Sequence, residues 1–115
     1  MLAVVWQFDV HPGAEEEFEK LHGADGAWTA LSRRSRSFLG SSFLKDLAAP
    51  GRYLLLEYWS EMMVYEKHLA DFSENVEDLK SQREERVRET LPVGVFEALD
   101  VPERYGPTWS VRDGR

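Results

Sequence analysis

Cysteine is missing from all 115 positions of this chain. Its absence removes disulfides, thiolate metal sites, iron–sulfur clusters and a cysteine nucleophile together, and fits a cytoplasmic protein. Basic residues are scarce too: 14 Lys and Arg stand against 21 Asp and Glu, a net charge of −7. Nucleic acid, whose phosphates are held mainly by Lys and Arg, is therefore not an expected partner. The one basic cluster, Arg33, Arg34 and Arg36, falls where a helix should end, a favourable place for positive charge. No apolar run is long enough to span a bilayer, and Met1 to Asp9 lacks the basic start of a signal peptide, so no membrane partner is expected. The three histidines, His11, His22 and His68, lack metal-ligand spacing, and there is neither a glycine-rich phosphate loop nor a Gly-x-Ser-x-Gly elbow. Nothing in the residues calls for a metal or a cofactor.

What remains is ordinary globular material, 43% hydrophobic, of a length that makes one domain. The chain is organised around Gly51 to Leu69, an apolar strand running almost directly into an amphipathic helix. Ser60 is the expected N-cap, and Met62, Tyr65, Leu69 and Phe72 follow the spacing of one buried face with His68 at its border. Residues Leu2 to Val10 alternate as a strand. His11-Pro12-Gly13 turns the chain into a helix carrying Ala14, Phe18 and Leu21 inward. Gly23-Ala24-Asp25-Gly26 breaks that helix, and Asp25 is the expected cap of a second piece bearing Trp28 and Leu31. Phe38 to Lys45 reads as a weaker strand, with Gly40 marking a bulge, joined to the strong strand as a hairpin. Ser73 to Thr90 reads as a charged helix with Val76, Leu79, Arg83 and Val87 along a thin seam and a Glu84–Arg88 pair on its surface. Leu91-Pro92 should end it, and Val93 to Leu99 should be the last strand. His11, in a turn, and His22, at a helix end, are expected to be solvated. The domain is expected over residues 1–100, followed by an extended tail over 101–115 in which Trp109 is the one large anchor.

The order strand, helix, strand, strand, helix, strand is the split β-α-β pattern of an α+β, ferredoxin-like fold with an antiparallel sheet. The first and third strands are apolar on both sides. A sheet with helices on one face only would leave the other apolar face bare, and a second copy of the chain is the economical cover, so a homodimer is expected.

Val10-His11-Pro12-Gly13, Gly51-Arg52-Tyr53, Glu57-Tyr58-Trp59 and the His68-Leu69 pair beyond the Trp resemble the antibiotic biosynthesis monooxygenase domains of the dimeric α+β barrel superfamily. The resemblance covers roughly Met1 to Leu99 and extends to a branch with a Gly-x-Asp-Gly-x-Trp segment, here Gly23 to Trp28. It implies a homodimer with a cavity in each subunit between sheet and helices. It also implies oxygenation of a small aromatic, quinol or polyketide-like phenol by O2 without metal or flavin, in a pocket that holds an electron-rich anion away from water. The matching positions are Trp59 and Tyr65; the Asn that polyketide-oxidising members carry four residues before the Trp is Leu55 here. In the haem-degrading branch the key Asn, Trp and His fall on Trp6, His68 and Asp78. None of the three is kept.

The candidate catalytic residues are accordingly His68, as a general base near neutrality, with Tyr65 and Trp59 orienting a ring; Trp6, Trp28, Leu55 and Phe72 are the candidate lining. Each has a plainer explanation. Trp59 is accounted for as a core or interface aromatic, His68 as a satisfied border imidazole, Trp6 and Trp28 as core. Aromatic lining serves equally a second kind of protein, a non-catalytic dimeric module that binds a small apolar ligand or supports another enzyme.

Overall fold

Two-residue alternation decides the sheet. In β1 (Leu2–Val10) the side holding Val4, Phe8 and Val10 is buried, and in β3 (Arg52–Trp59) the buried side is Tyr53, Leu55, Glu57 and Trp59. The computed structural model describes residues 1–101. The expected tail, Trp109 included, lies outside them. Helices α1 (Glu15–His22) and α2 (Ala27–Ser32) follow β1; β2 (Phe38–Lys45) precedes β3; α3 (Met62–Asp71), α4 (Ser73–Glu84) and β4 (Val87–Glu97) complete the order. The strands form one antiparallel sheet in the order β2-β3-β1-β4, the ferredoxin-like arrangement.

One face of this sheet packs on the helices. Phe8, Val10, Tyr53 and Leu55 meet Phe18 and Leu21 of α1, Trp28 and Leu31 of α2, and Val76 and Leu79 of α4 in the main core. A smaller cluster of Val4, Trp59 and Tyr65 lies beside it, and Trp6 and Leu69 pack against both. Residues paired directly across strands share a face, so the register sets Val5 with Leu56 and Gln7 with Leu54 and Leu91 on the side away from the helices. There Leu44, Leu91 and Phe96 stay about half exposed.

The broken first helix is present, and its break has a steric basis. A side chain on Gly26 would run into the carbonyls of Lys20 and Leu21, so only glycine lets α2 fold back on α1. The cap of α2 is Gly26 itself, with no side-chain bond, rather than Asp25. Similarly, Glu61 rather than Ser60 precedes α3, and the Ser60 amide instead donates to the Ser37 carbonyl at 2.9 Å.

The largest departure is at the C-terminal side. The helix expected to reach Thr90 stops at Glu84, and the strand expected from Val93 begins at Val87. Glu84 and Arg88 therefore share no helix. The β-branched residues Val87, Thr90, Val93 and Val95 suit a strand, and pairing with β1 outweighs the helical spacing of Val76, Leu79, Arg83 and Val87. Pro92 is tolerated inside β4 because this is an edge strand, and the register slips beside it, leaving Val93 as an extra residue. A second slip, between Asp9 and Val10, leaves Arg88 as an extra residue of β4, and a third, between Phe38 and Gly40, puts the expected bulge in β2.

Candidate functional site

The strand-to-helix corner brings the three candidate catalytic residues together. Trp59 ends β3, and its ring centroid is 5.1 Å from that of Tyr65 and 5.0 Å from that of His68, both on α3. Phe72 continues the row, 5.0 Å from His68. Of the face expected on α3, Tyr65, Leu69 and Phe72 pack inward, whereas Met62 is 41% exposed and His68, placed at the border by its spacing, is 5% exposed. Burial lowers the pKa of His68 and pushes that of Tyr65 up to about 12. Outside His68 a cleft of about 290 Å³ is bounded by Arg34, Val64, Lys67, Asp71 and Phe72.

The lining candidates divide. Trp6 touches the Trp59 cluster and the main core alike, Trp28 and Leu55 belong to the main core, and Leu55 is 1% exposed. No polar group replaces the missing Asn at that position.

Three charged or polar side chains that the sequence pattern did not assign to the site occupy the interior. Glu57 is 3% exposed and accepts hydrogen bonds from the Trp28 indole N–H at 2.9 Å and the Ser32 hydroxyl at 3.2 Å, both to one oxygen, Oε2. Burial raises its pKa; the two donors and the positive charge of Arg83 act against that. Arg83, also 3% exposed, lies with its guanidinium carbon 4.9 Å from the Phe8 ring, 5.0 Å from Trp28 and 5.6 Å from Trp6. Desolvation lowers its pKa, while Glu84 and Glu57 favour its charge. Its Nε and Nη1 have no partner, nor has the indole N–H of Trp6, whereas that of Trp59 is directed at Glu57 and helps to lower its pKa. His22, expected in solvent, is 1% exposed among Phe8, Phe18, Trp28 and Phe43, with neither ring nitrogen partnered. Desolvation, and secondarily the charge of Arg83, hold its pKa down at about 3.

Each orphaned buried donor costs about 1–3 kcal/mol. The unpaired N–H groups of Arg83 and Trp6 form a donor set that suits a ligand rich in acceptor oxygens. For two of these residues the sequence held a local signal, though not one that brought them together. Strand alternation placed Glu57 on the same side as Trp59, and helical spacing placed Arg83 in an apolar seam. Among the described residues no group of three or more His, Asp or Glu is arranged as a metal site.

Residues 1–73 match the family model of the antibiotic biosynthesis monooxygenases. The chain belongs to that family. No curated protein matches it. Among solved structures, SnoaB, a cofactor-independent oxygenase from Streptomyces nogalater, is similar at 22% identity and a TM-score of 0.64, over 89% of this chain and 97% of SnoaB. Rv0793 from Mycobacterium tuberculosis is similar at 17% identity and a TM-score of 0.67, over 89% of this chain and 98% of its own. A further antibiotic biosynthesis monooxygenase matches at 22% identity and a TM-score of 0.59, over 89% of this chain and 100% of its own. At these identities the likeness establishes the shared monooxygenase fold.

Proposed function

We propose that the protein is a cofactor-independent monooxygenase that oxidises a small aromatic, quinol or polyketide-like phenol with O2. The observation that carries this reading is Arg83: a buried guanidinium with unpaired N–H groups, set among aromatic rings in a family of oxygenases. A phenol oxidised without a cofactor must first become an anion able to give electrons to oxygen. A fixed cation in a dry interior stabilises that anion where it forms. One oxygen atom stays on carbon and the other leaves as water, the substrate supplying all four electrons and, in net terms, both hydrogens of that water. Trp59 and Tyr65 hold the ring plane and His68 faces the cleft by which a substrate approaches. A second copy of the chain covers the outer sheet face.

Oxygen uptake across a panel of quinols and polycyclic phenols, with no metal or flavin added, tests this reading. Turnover of one member, reduced by single replacement of Trp59, Tyr65 or His68, is the expected result. The second reading, a dimeric module binding a small apolar ligand or supporting another enzyme, is favoured by the direct ring contacts of Trp59, Tyr65 and His68, which pack as a core does. Ligand binding without oxygen uptake on any panel member selects it.

A further inference from the structure

The buried polar and charged side chains among the described residues are His22, Thr29, Ser32, Glu57, His68 and Arg83, and Glu57 is the single carboxylate in that set. Around it the interior offers donors: the indole of Trp28 and the hydroxyl of Ser32, already bound to Oε2, the indole of Trp59, which also lowers the pKa of the carboxyl, and beyond them the unpaired N–H groups of Arg83 and Trp6. Both bound donors use the same oxygen, so neither holds Oε1. Arg83 stands close enough for the two charges to act on each other, yet its Nε and Nη1 stay unpartnered. An acceptor of protons and a donor set for an oxyanion therefore face one interior, presented by β3 on one side and α4 on the other.

We propose that Glu57 is the catalytic base of this site, taking the hydroxyl proton of a phenol or enol while the unpaired N–H groups of Arg83 receive the resulting oxyanion. The substrate O–H bond breaks with its electron pair left on oxygen, and the proton bonds to the Glu57 carboxylate; nothing is oxidised in this step. The assignment rests on the oxygenase reading for the oxidation that the anion then undergoes, but the proton transfer itself requires no oxygen. Other titratable groups fit the role less well. Tyr65 holds its proton more tightly than a free phenol does, and His68 is wedged between the rings of Trp59 and Phe72 with Nδ1 unpartnered. Glu57 is a carboxylate whose Oε1 neither Trp28 nor Ser32 occupies, and the charge of Arg83 favours its ionised, proton-accepting form against the effect of burial.

The proton count on binding 4-nitrophenol to the intact wild-type protein, in lightly buffered solution near the probe's own pKa and without oxygen, tests this directly. The expected result is growth of the phenolate absorbance with no equivalent release of protons to solvent, because the proton stays on Glu57. Phenolate formation with one proton released per probe overturns the proposal, and so does the absence of any phenolate on mixing. In Glu57→Gln, which keeps an acceptor for Trp28 and Ser32, the phenolate fraction should fall at least about tenfold, with Glu57→Asp recovering part of it. On a substrate shown to be turned over, Glu57→Gln should lower kcat about a hundredfold or more at near-constant KM, with the loss growing as the phenol becomes less acidic. An equal loss for strongly and weakly acidic phenols marks a structural role and overturns the assignment. Failure of the whole panel to consume oxygen, with the proton count as expected, overturns the oxygenase reading and leaves the base in place.

Discussion

The Trp28 indole N–H on α2 and the Glu57 carboxylate on β3, 29 positions apart in the chain, meet at 2.9 Å inside the protein. With the Ser32 bond to the same oxygen, it ties the short second helix to the central strands and orients the one buried carboxylate among the described residues. Trp28→Phe keeps the ring packing and removes the donor. It should destabilise the fold by about 1–3 kcal/mol, read as a lower urea midpoint with an unchanged slope. No loss of stability would mean that Ser32 alone satisfies the carboxylate.

His22 should give the protein an acid-sensitive stability. Its folded pKa is held near 3, below the ordinary 6.5, so the folded chain refuses a proton that the unfolded chain accepts. The contribution of a neutral His22 is fully present above about pH 6.5 and is lost as the pH falls towards 3, by up to about 1.4 kcal/mol per pH unit. His22→Phe, in a cage already built of Phe8, Phe18, Trp28 and Phe43, should flatten that slope. Denaturation midpoints across this pH range, compared between wild type and variant, check it. Parallel curves would refute the assignment.

Much of this was legible before the fold was known, and the failures share one cause. Alternation in Leu2 to Val10, the apolar run ending at Trp59 and the Gly23 to Gly26 break sufficed for two strands and a divided helix, because each is decided by neighbours in the chain. The span Val87 to Leu91 satisfies a helical seam as well as a strand, and the pairing with β1 that decides it is made with residues some eighty positions away. The same holds inside. Helix-end position suggested solvent for His22, whereas Phe8 and Phe43, brought in by two strands, enclose it. The aromatic corner was readable because Trp59, Tyr65 and His68 lie within ten residues; the Glu57 and Arg83 part was not, because its members arrive from different elements.

Arg83→Met separates the cost of the buried cation from its use. Methionine can still lie against Trp6, Phe8 and Trp28 while removing an unpaired, desolvated charge, so stability should hold or rise. Turnover of a confirmed phenol should nevertheless fall by about a hundredfold, as when one stabilising donor is lost from an oxyanion site. Thermal melts alongside steady-state kinetics check both halves, and equal activity would remove Arg83 from the site.

Association is expected through the outer face. Leu56→Asp places a charge beside Val5 on that face, away from Glu57 and Arg83. Light scattering at micromolar concentration should show dimer mass for the wild type and monomer mass for the variant, with the helical circular dichroism retained. Monomer mass for the wild type would refute the dimer.

Leu39, Val93 and Arg88, the residues squeezed out of register, sit on the outermost strands, the first on β2 and the other two on β4. Each interrupts the straight row of backbone groups that an added strand would need, and Pro92 withholds one donor beside the second. The sheet is therefore capped sideways at both margins. Copies of this chain are steered away from endless edge-to-edge growth, which leaves flat stacking as the remaining way for one sheet to meet another.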